Sequence, residues 1–208
     1  MFVDFNDVSE HERYKLLIAT VMPRPIALVT TRCKAGVLNA APFSFFNVFS
    51  ENPALVILGL EVKRDDDTLK DTTNNIKAAK ELVINLVDKS LAKPMVQCAA
   101  ALAAEEDEFE FAGVTSIAFE IVSVPGIAES PVRLECTLFE LRPITPRRHL
   151  RIAEVKTICA HDSIIDSENL RVNIDAYRPI ARLMGKSYAE LGEILNLSIP
   201  AAPQKEAP

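Results

Sequence analysis

The sequence predicts a mainly β fold with α decoration, in which one sheet closes or nearly closes into a barrel. Several short apolar strands with two or three short helices between them favour this class. A second observation lies in Val132 to Arg142, where the alternation of apolar residues changes phase between Leu138 and Phe139. A strand that turns the same face inward after such a slip needs a bulge or a sharp bend, and barrels turn their corners in this way.

The first half of the chain begins with a helix signal and continues with strands. Ser9 and Glu12 have the spacing of a capping box, which predicts a helix from about Glu10 to Ile18. The prolines that flank Arg24 then force an extended entry. Apolar runs bounded by turn residues predict strands at Ile26 to Thr31, Val37 to Ala41 and Ala54 to Leu60. The last run is continuously apolar, so we expect it to be buried on both faces.

The rest of the chain adds three helices, further strands and a tail. Helices are expected at Thr72 to Lys80, with Thr72 as a candidate N-cap, through Leu91 to Leu102, where apolar residues recur at helical spacing, and at Ser187 to Leu195. Leu82 to Val87 and Arg151 to His161 have strand character, as Val132 to Arg142 does. The tail Pro200 to Pro208 is rich in proline and alanine and is expected to be disordered, which leaves one domain over residues 1–199.

Composition limits the possible partners and compartment. The 208 residues are 49% hydrophobic and carry a formal net charge of −6, which argues against a nucleic-acid binder because such proteins need a basic surface. The start of the chain has no basic segment followed by an apolar run, and the longest apolar stretch is too short for a bilayer. The four cysteines are scattered, so we expect free thiols in a cytoplasmic protein with no membrane partner.

Common catalytic and nucleotide-binding motifs are absent from the sequence. The six glycines form neither GxGxxG nor GxxxxGK[ST], and no GxSxG occurs. The three histidines have no metal-ligand spacing. His161 and Asp162 could form an acid/base pair, but adjacent residues on a strand point to opposite faces. The sequence therefore favours neither a hydrolase nor a metalloenzyme, and we predict no catalytic side chain and no metal ligand.

Polar residues that could bind a ligand concentrate between Arg24 and Asn75. Small residues in the segment Asn39 to Asn47 would let a flat ring lie against the backbone, and the side chains of Asn39, Ser44 and Asn47 offer donors and acceptors. Lys70, Asp71 and Thr72 open a predicted helix, whose N-terminus favours a bound phosphate. Taken alone, Thr72 is equally well explained as an ordinary cap and Lys70 as a solvated side chain.

The combination of motifs is more specific than its parts. It consists of Met22-Pro-Arg-Pro-Ile-Ala-Leu-Val-Thr-Thr31, Gly36-x-x-Asn39-x-Ala-Pro-Phe-Ser-Phe-Phe-Asn47, Lys70-Asp-Thr72-x-x-Asn75-Ile76, Leu82-Val-Ile-Asn85-Leu-Val87 and Arg182-Leu-Met-Gly-Lys-Ser-Tyr188. In this order the motifs closely resemble the flavin-reductase-like FMN-binding split-barrel family, over about Tyr14 to Gly192. The chain departs from the family pattern at Pro53-Ala54, where two prolines are frequent, and at Met184, where a glycine is frequent.

The resemblance implies a six-stranded Greek-key split β-barrel that forms a homodimer, with FMN bound at two sites near the subunit interface. It implies that Asn39 to Asn47 line the isoalloxazine and ribityl chain, and that Lys70, Asp71 and Thr72 lie close to the phosphate. Arg182 would serve either FMN or the fold and dimer. The implied cofactor-binding residues are Arg24, Thr30, Asn39, Ala41, Pro42, Ser44, Asn47, Lys70, Asp71 and Thr72.

Three functions are compatible with this resemblance. In the first, an NAD(P)H-dependent flavin reductase or flavoprotein oxidoreductase, hydride passes from nicotinamide to flavin N5 and electrons continue to an unidentified small-molecule or protein acceptor. In the second, FMN is held as an electron carrier that a partner protein reduces, without direct reaction with NAD(P)H. In the third, the fold has lost FMN and serves as a structural dimer, which the intact motifs argue against.

Overall fold

The structure is a computed structural model that describes residues 1–63 and 65–200. In chain order its elements are α1 (Glu10–Thr20), β1 (Ala27–Arg32), β2 (Leu38–Phe43), β3 (Phe46–Glu51), β4 (Ala54–Glu61), α2 (Asp71–Ala79), β5 (Glu81–Leu86), α3 (Ala92–Gln97), α4 (Glu108–Ala112), β6 (Ser116–Ile117), β7 (Gly126–Ile127), β8 (Val132–Thr145), β9 (Arg148–Ala160), β10 (Ile180–Arg182) and β11 (Tyr188–Glu190). The fold is therefore mainly β with a few helices, as the sequence predicts.

One antiparallel sheet dominates the described residues. Its seven strands follow the order β2-β1-β5-β8-β9-β4-β3, one more than the six that we expected. The extra strand is β3, which the sequence analysis treated as part of a ligand-lining segment. It forms because Phe46 to Glu51 pairs along its length with β4, so that the backbone groups of both segments gain partners.

The chain passes directly from one edge strand of this sheet to the other. β2 and β3 lie at opposite ends of the strand order, yet only Ser44 and Phe45 separate them in the chain. The backbone N–H of Gly59 on β4 donates to the Phe45 carbonyl at 2.7 Å. A Cβ at position 59 would lie 3.0 Å from the Cβ of Phe45, so the absence of a side chain at Gly59 allows this approach.

Two apolar clusters pack against the two faces of the sheet. Because side chains alternate along a strand, Val29 of β1 joins a cluster with Leu58 and Ile76, and Leu28 joins a second cluster beneath α3 and α4. Full burial of one such side chain stabilises the fold by about 1.5–3 kcal/mol. The second cluster includes Leu91 and Met95, so it fixes the helices beside the β2–β3 turn.

Several sequence-based predictions of elements are confirmed. Ser9 and Glu12 form the reciprocal bonds of a capping box at the start of α1. The register of β8 against β9 shifts between Leu138 and Glu140, at the predicted change of phase. The four cysteines are free. No helix among the described residues is long and apolar enough to cross a membrane.

Other predictions of elements are wrong. Thr72 is not the N-cap of α2, because the helix begins at Asp71 and its N-cap residue is Lys70. Residues 187–195 form no helix, since β11 pairs there with β10 and satisfies the backbone through that hairpin. The helix predicted to reach Leu102 ends at Gln97. On β4 only alternate residues are buried after Leu55, whereas burial on both faces was expected. Most of the predicted disordered tail, residues 201–208, lies outside the described residues.

Candidate functional site

A groove of about 610 Å³ opens beside the turn between β2 and β3. We call it the Ser44 groove, after the residue at the centre of that turn. Helix α1, the segment before β1, the β2–β3 turn and the β10–β11 hairpin form its walls. The residues that the argument uses are His11, Tyr14, Arg24, Pro42, Ser44, Arg182 and Tyr188.

Arg24 connects three of these walls. Its side chain is buried, with 8% of its surface exposed. Nη1 donates to the carbonyls of Ile18 at 2.5 Å and Val21 at 3.1 Å, both at the end of α1, and Nη2 donates to the Leu183 carbonyl at 2.9 Å. Nε lies 3.4 Å from Ser44 Oγ. The planar guanidinium has donors in fixed directions, so this one residue sets the position of α1, the turn and the hairpin relative to each other.

Arg182 lies beside Arg24 and presents a second guanidinium to the groove. The backbones of the two residues exchange hydrogen bonds of 3.1 and 2.9 Å. The guanidinium of Arg182 stacks 4.6 Å from the centre of the Tyr188 ring and donates to the Tyr188 hydroxyl and the Gly185 carbonyl. Cation–π stacking and these bonds hold its charge at the rim of the groove.

The electrostatics of the groove favour an anion. Burial lowers the pKa of Arg24, and the neighbouring charge of Arg182 lowers it further. Both guanidinium groups bond to carbonyls and hydroxyls, and among residues 1–63 and 65–200 no carboxylate forms an ion pair with either. Two like charges at one groove are mutually unfavourable, so a negatively charged group bound between them would be stabilised.

A second set of predicted residues meets at the start of α2. Asn39 on β2 accepts hydrogen bonds at its Oδ1 from the hydroxyls of Thr72, at 2.8 Å, and Thr31, at 3.1 Å. Its Nδ2 donates to Glu108 at 2.8 Å, and Asn75 donates to Thr31. The structure therefore brings two segments that are 33 residues apart into direct contact. These side chains bond to one another, so the network positions α2 against β2.

The other two residues of the Lys70–Thr72 motif point to solvent or to a neighbouring charge. Asp71 forms an ion pair with Lys63 at 3.4 Å. Lys70 is exposed and makes no side-chain cap at the helix N-terminus. The start of α2 thus has the exposed Lys70 beside the Lys63–Asp71 ion pair, and an exposed cation at a helix N-terminus suits a phosphate.

Three further predicted residues belong neither to the Ser44 groove nor to the set at the start of α2. Thr30 is fully buried, and its hydroxyl donates to the Pro125 carbonyl at 2.7 Å and accepts from Asn85. Asn47 is exposed on β3 at the edge of a separate apolar cleft, where its Oδ1 accepts from the Val48 backbone. Ala41 is half-buried in β2. Of the ten candidates, Arg24, Pro42 and Ser44 line the groove.

The sequence analysis did not identify two residues of the groove and left the role of two others open. His11 and Tyr14 of α1 gave no signal beyond the capping box that starts their helix. Arg182 and Tyr188 belong to a motif that the sequence analysis recognised without fixing its role. A β hairpin pairs Arg182 with Tyr188 and brings the two side chains together.

Residues 19–179 match the family model described as the flavin reductase like domain. The chain belongs to the flavin reductase-like family. The match covers the β2–β3 turn, α2 and the whole seven-stranded sheet.

Solved structures extend this similarity over nearly the whole chain. Nitrilotriacetate monooxygenase component B from Bacillus cereus has a TM-score of 0.90 and 35% identity, with 95% of this chain and 98% of that one covered. The 2-nitrobenzoate 2-nitroreductase of Pseudomonas fluorescens has a TM-score of 0.89 and 30% identity, with 96% of each chain covered. A split-barrel protein from Shewanella frigidimarina, at 19% identity, has a TM-score of 0.82 and covers 96% of this chain and 100% of its own. The fold of this chain is thus a split barrel.

The residues of the Ser44 groove fit a flavin mononucleotide. Such a ligand combines a flat, largely apolar ring with a hydrogen-bonding edge and a phosphate. The groove has apolar walls at Ile26, Pro42 and Leu183 and hydroxyls at Ser44 and Tyr188. Its volume of about 610 Å³ lies within the usual range for ligand pockets, about 300–1,000 Å³.

Proposed function

We propose that this flavin reductase-like protein binds FMN in the Ser44 groove and is an oxidoreductase that takes its electrons from NAD(P)H. The observation that carries the proposal is the pair of arginines, Arg24 and Arg182, which face one groove without a carboxylate partner among the described residues. Two positive charges in a groove with apolar walls suit a flat aromatic ring that becomes more negative on reduction.

FMN, when bound, supplies a ring that accepts a hydride and passes electrons on. The protein's own residues bind and orient that ring. Ser44 and Tyr188 offer hydroxyls to its heteroatom edge, and Arg182 holds a positive charge nearby through its contacts with Tyr188 and Gly185. Arg24 keeps α1 and the hairpin in place around the groove. This division of roles requires no nucleophile, general base or metal from the chain.

The proposal also includes a homodimer. The apolar cleft beside β3 has a volume of about 620 Å³, and Val48 and Phe49 on that strand are 73% and 62% exposed. A second copy of the chain would cover these side chains, and large exposed apolar patches are typical of protein interfaces. FMN would then be held near the interface, and Asn47 would lie at the edge of that interface.

Binding of FMN to Arg182→Gln protein tests the proposed site. The variant keeps a polar side chain and removes the charge, so we expect FMN affinity to fall about tenfold or more, in line with the loss of one charge-assisted interaction. Quenching of FMN fluorescence during titration measures the dissociation constant. The matched control is Arg178→Gln, an exposed arginine outside the groove. Equal affinity in both variants would contradict the placement of FMN.

The acceptor of the electrons is a separate question. Similar proteins are a nitroaromatic reductase and a component of a monooxygenase. Reduced holoprotein should therefore be mixed with a nitrobenzoate and, separately, with free flavin, and reoxidation followed at the flavin absorption band. Reoxidation by one of them alone would assign the acceptor class.

A further inference from the structure

Residues 191–199 follow the β10–β11 hairpin and lie on the outside of the fold. They belong to no helix or strand, and they form no backbone hydrogen bond with the rest of the described chain. All of them are exposed, and the apolar side chains of Leu195, Leu197 and Ile199 are 73%, 87% and 95% exposed. Several apolar side chains this exposed within one short segment are typical of a surface that contacts another molecule.

The sequence of this segment has the pattern of a half-buried strand. Leu195, Leu197 and Ile199 alternate with the polar residues Asn196 and Ser198. Successive side chains of a strand point to opposite faces, so in an extended chain the three apolar side chains share one face and the two polar ones share the other. The segment therefore suits an apolar surface that lies beside the open edge of a sheet.

Strand β3 has such an edge, and the apolar cleft of about 620 Å³ lies beside it. β3 is at the end of the strand order, so it pairs with β4 on one side and with no other strand that the structure describes. Phe46, Val48 and Leu55 are among the mainly apolar side chains that line the cleft. An open edge beside exposed apolar side chains pairs readily with an extended segment of another chain.

The position of Leu191 connects the segment to this cleft. Leu191 lines the cleft of its own chain, and the residues that follow it leave the cleft and are exposed. From Leu191 to Ile199 an extended chain spans at most about 30 Å, which is enough to cross from one copy to another. A two-fold dimer uses the same surface on both copies, so an exchange of segments would cover both clefts and both segments at once.

We propose that residues 191–199 of each copy lie along β3 of a second copy, with Leu195, Leu197 and Ile199 in its apolar cleft. This rests on the homodimer of the proposed function and assigns the part of the second copy that fills the cleft. The segment continues directly from the hairpin that carries Arg182 and Tyr188. Its attachment to the second copy therefore holds that wall of the Ser44 groove in position.

Sedimentation analysis of two matched variants tests the exchange. Leu195→Asp/Leu197→Asp places two charges on the apolar face, at residues whose side chains are exposed in the single chain. Asn196→Asp/Ser198→Asp places the same charges on the opposite face of the same segment and is the control. Because the apolar face loses its burial and its charges would be desolvated, we expect the dimer dissociation constant to rise about 100-fold or more. In the control it should stay within about threefold.

Amide hydrogen exchange of the wild type identifies the chain on which the segment lies. Residues 195–199 and the edge strand β3 should be protected at protein concentrations above the dimer dissociation constant, because their backbone groups then pair with each other. On dilution to the monomer, both segments should exchange rapidly. Protection of residues 195–199 in the monomer would assign the segment to its own chain and overturn the exchange.

The remaining outcomes separate this inference from the proposed function. Equal dimer dissociation constants in the apolar-face variant and the control overturn the exchange and leave a dimer that another surface forms. A wild type that stays monomeric overturns both the exchange and the homodimer, whereas FMN binding and reduction by NAD(P)H, measured on the same sample, test the oxidoreductase proposal independently. Matching thermal melting curves establish that both variants are folded.

Discussion

Lys70 and Thr72 are two residues apart at the start of α2, and the structure gives them different environments. Thr72 is buried and its hydroxyl donates to Asn39, so it fastens the helix to β2. Lys70 is exposed and has no capping bond. The sequence allowed a cap at Thr72 and a solvated side chain at Lys70. The cap is wrong, and the exposed lysine leaves a cation free for a ligand at this helix N-terminus.

Replacement of Lys70 by alanine separates binding from stability. Because the side chain makes no contact that holds the fold, the free energy of unfolding should change by less than about 0.5 kcal/mol. If the FMN phosphate lies at this helix N-terminus, FMN affinity should fall about tenfold or more, whereas riboflavin affinity should stay constant. Urea denaturation and fluorescence titration measure the two quantities.

Lys77→Ala is the matched control for this prediction. Lys77 is exposed in the last turn of the same helix, away from its N-terminus. We expect neither stability nor FMN affinity to change. Equal FMN affinity in Lys70→Ala and Lys77→Ala protein would mean that the phosphate lies elsewhere.

At the scale of elements, local sequence patterns predicted some features and missed others. The bulge in β8 was predictable because the change of phase at Leu138 is local. β3 and the β10–β11 hairpin were not predicted, although each pairs with the neighbouring strand in the chain, because these short segments lack a sustained apolar alternation. Gly59 lets Phe45 approach, which extends the β3–β4 pairing to the residue next to Ser44.

Substitution of Gly59 by alanine tests this close approach. Its Cβ would lie 3.0 Å from the Cβ of Phe45, which is attached to the backbone and cannot rotate away. Overpacking of this kind lowers the free energy of unfolding by about 1–3 kcal/mol. Gly192→Ala is the control, because a Cβ there meets nothing within 4 Å. Equal urea midpoints for the two variants would show that the contact between Gly59 and Phe45 is not tight.

At the scale of the whole molecule, the fold class was predictable and the arrangement of the site was only partly so. The family motifs lie in the correct order, and they point to the segments that meet at Arg24, Ser44 and the Asn39–Thr72 contact. Whether a polar side chain faces an open groove or a buried network depends on strand register. Thr30 and Asn39 lie on neighbouring strands, and both were predicted to bind the cofactor. The side chains of both form hydrogen bonds within the protein.

The proposed homodimer is also a property of the whole molecule. Val48→Glu places a charge in the apolar cleft, where burial against a second copy would desolvate it, so we expect a monomer at micromolar concentration instead of a dimer. Sedimentation velocity measures the change. Val96→Glu, at a residue of α3 that is 49% exposed and outside the cleft, should leave the dimer intact. A dimer that persists in Val48→Glu protein would place the interface elsewhere.

The most direct measurement of the central claim is the visible absorption spectrum of the purified, dialysed protein, recorded before and after anaerobic addition of NADH or NADPH. The account predicts a flavin band, a released chromophore with the mass of FMN, and bleaching by at least one of the two nucleotides. A retained flavin that bleaches with dithionite but with neither nucleotide would contradict the oxidoreductase proposal and indicate an electron carrier reduced by a partner. A colourless protein that also fails to bind added FMN would contradict the assignment of the Ser44 groove itself.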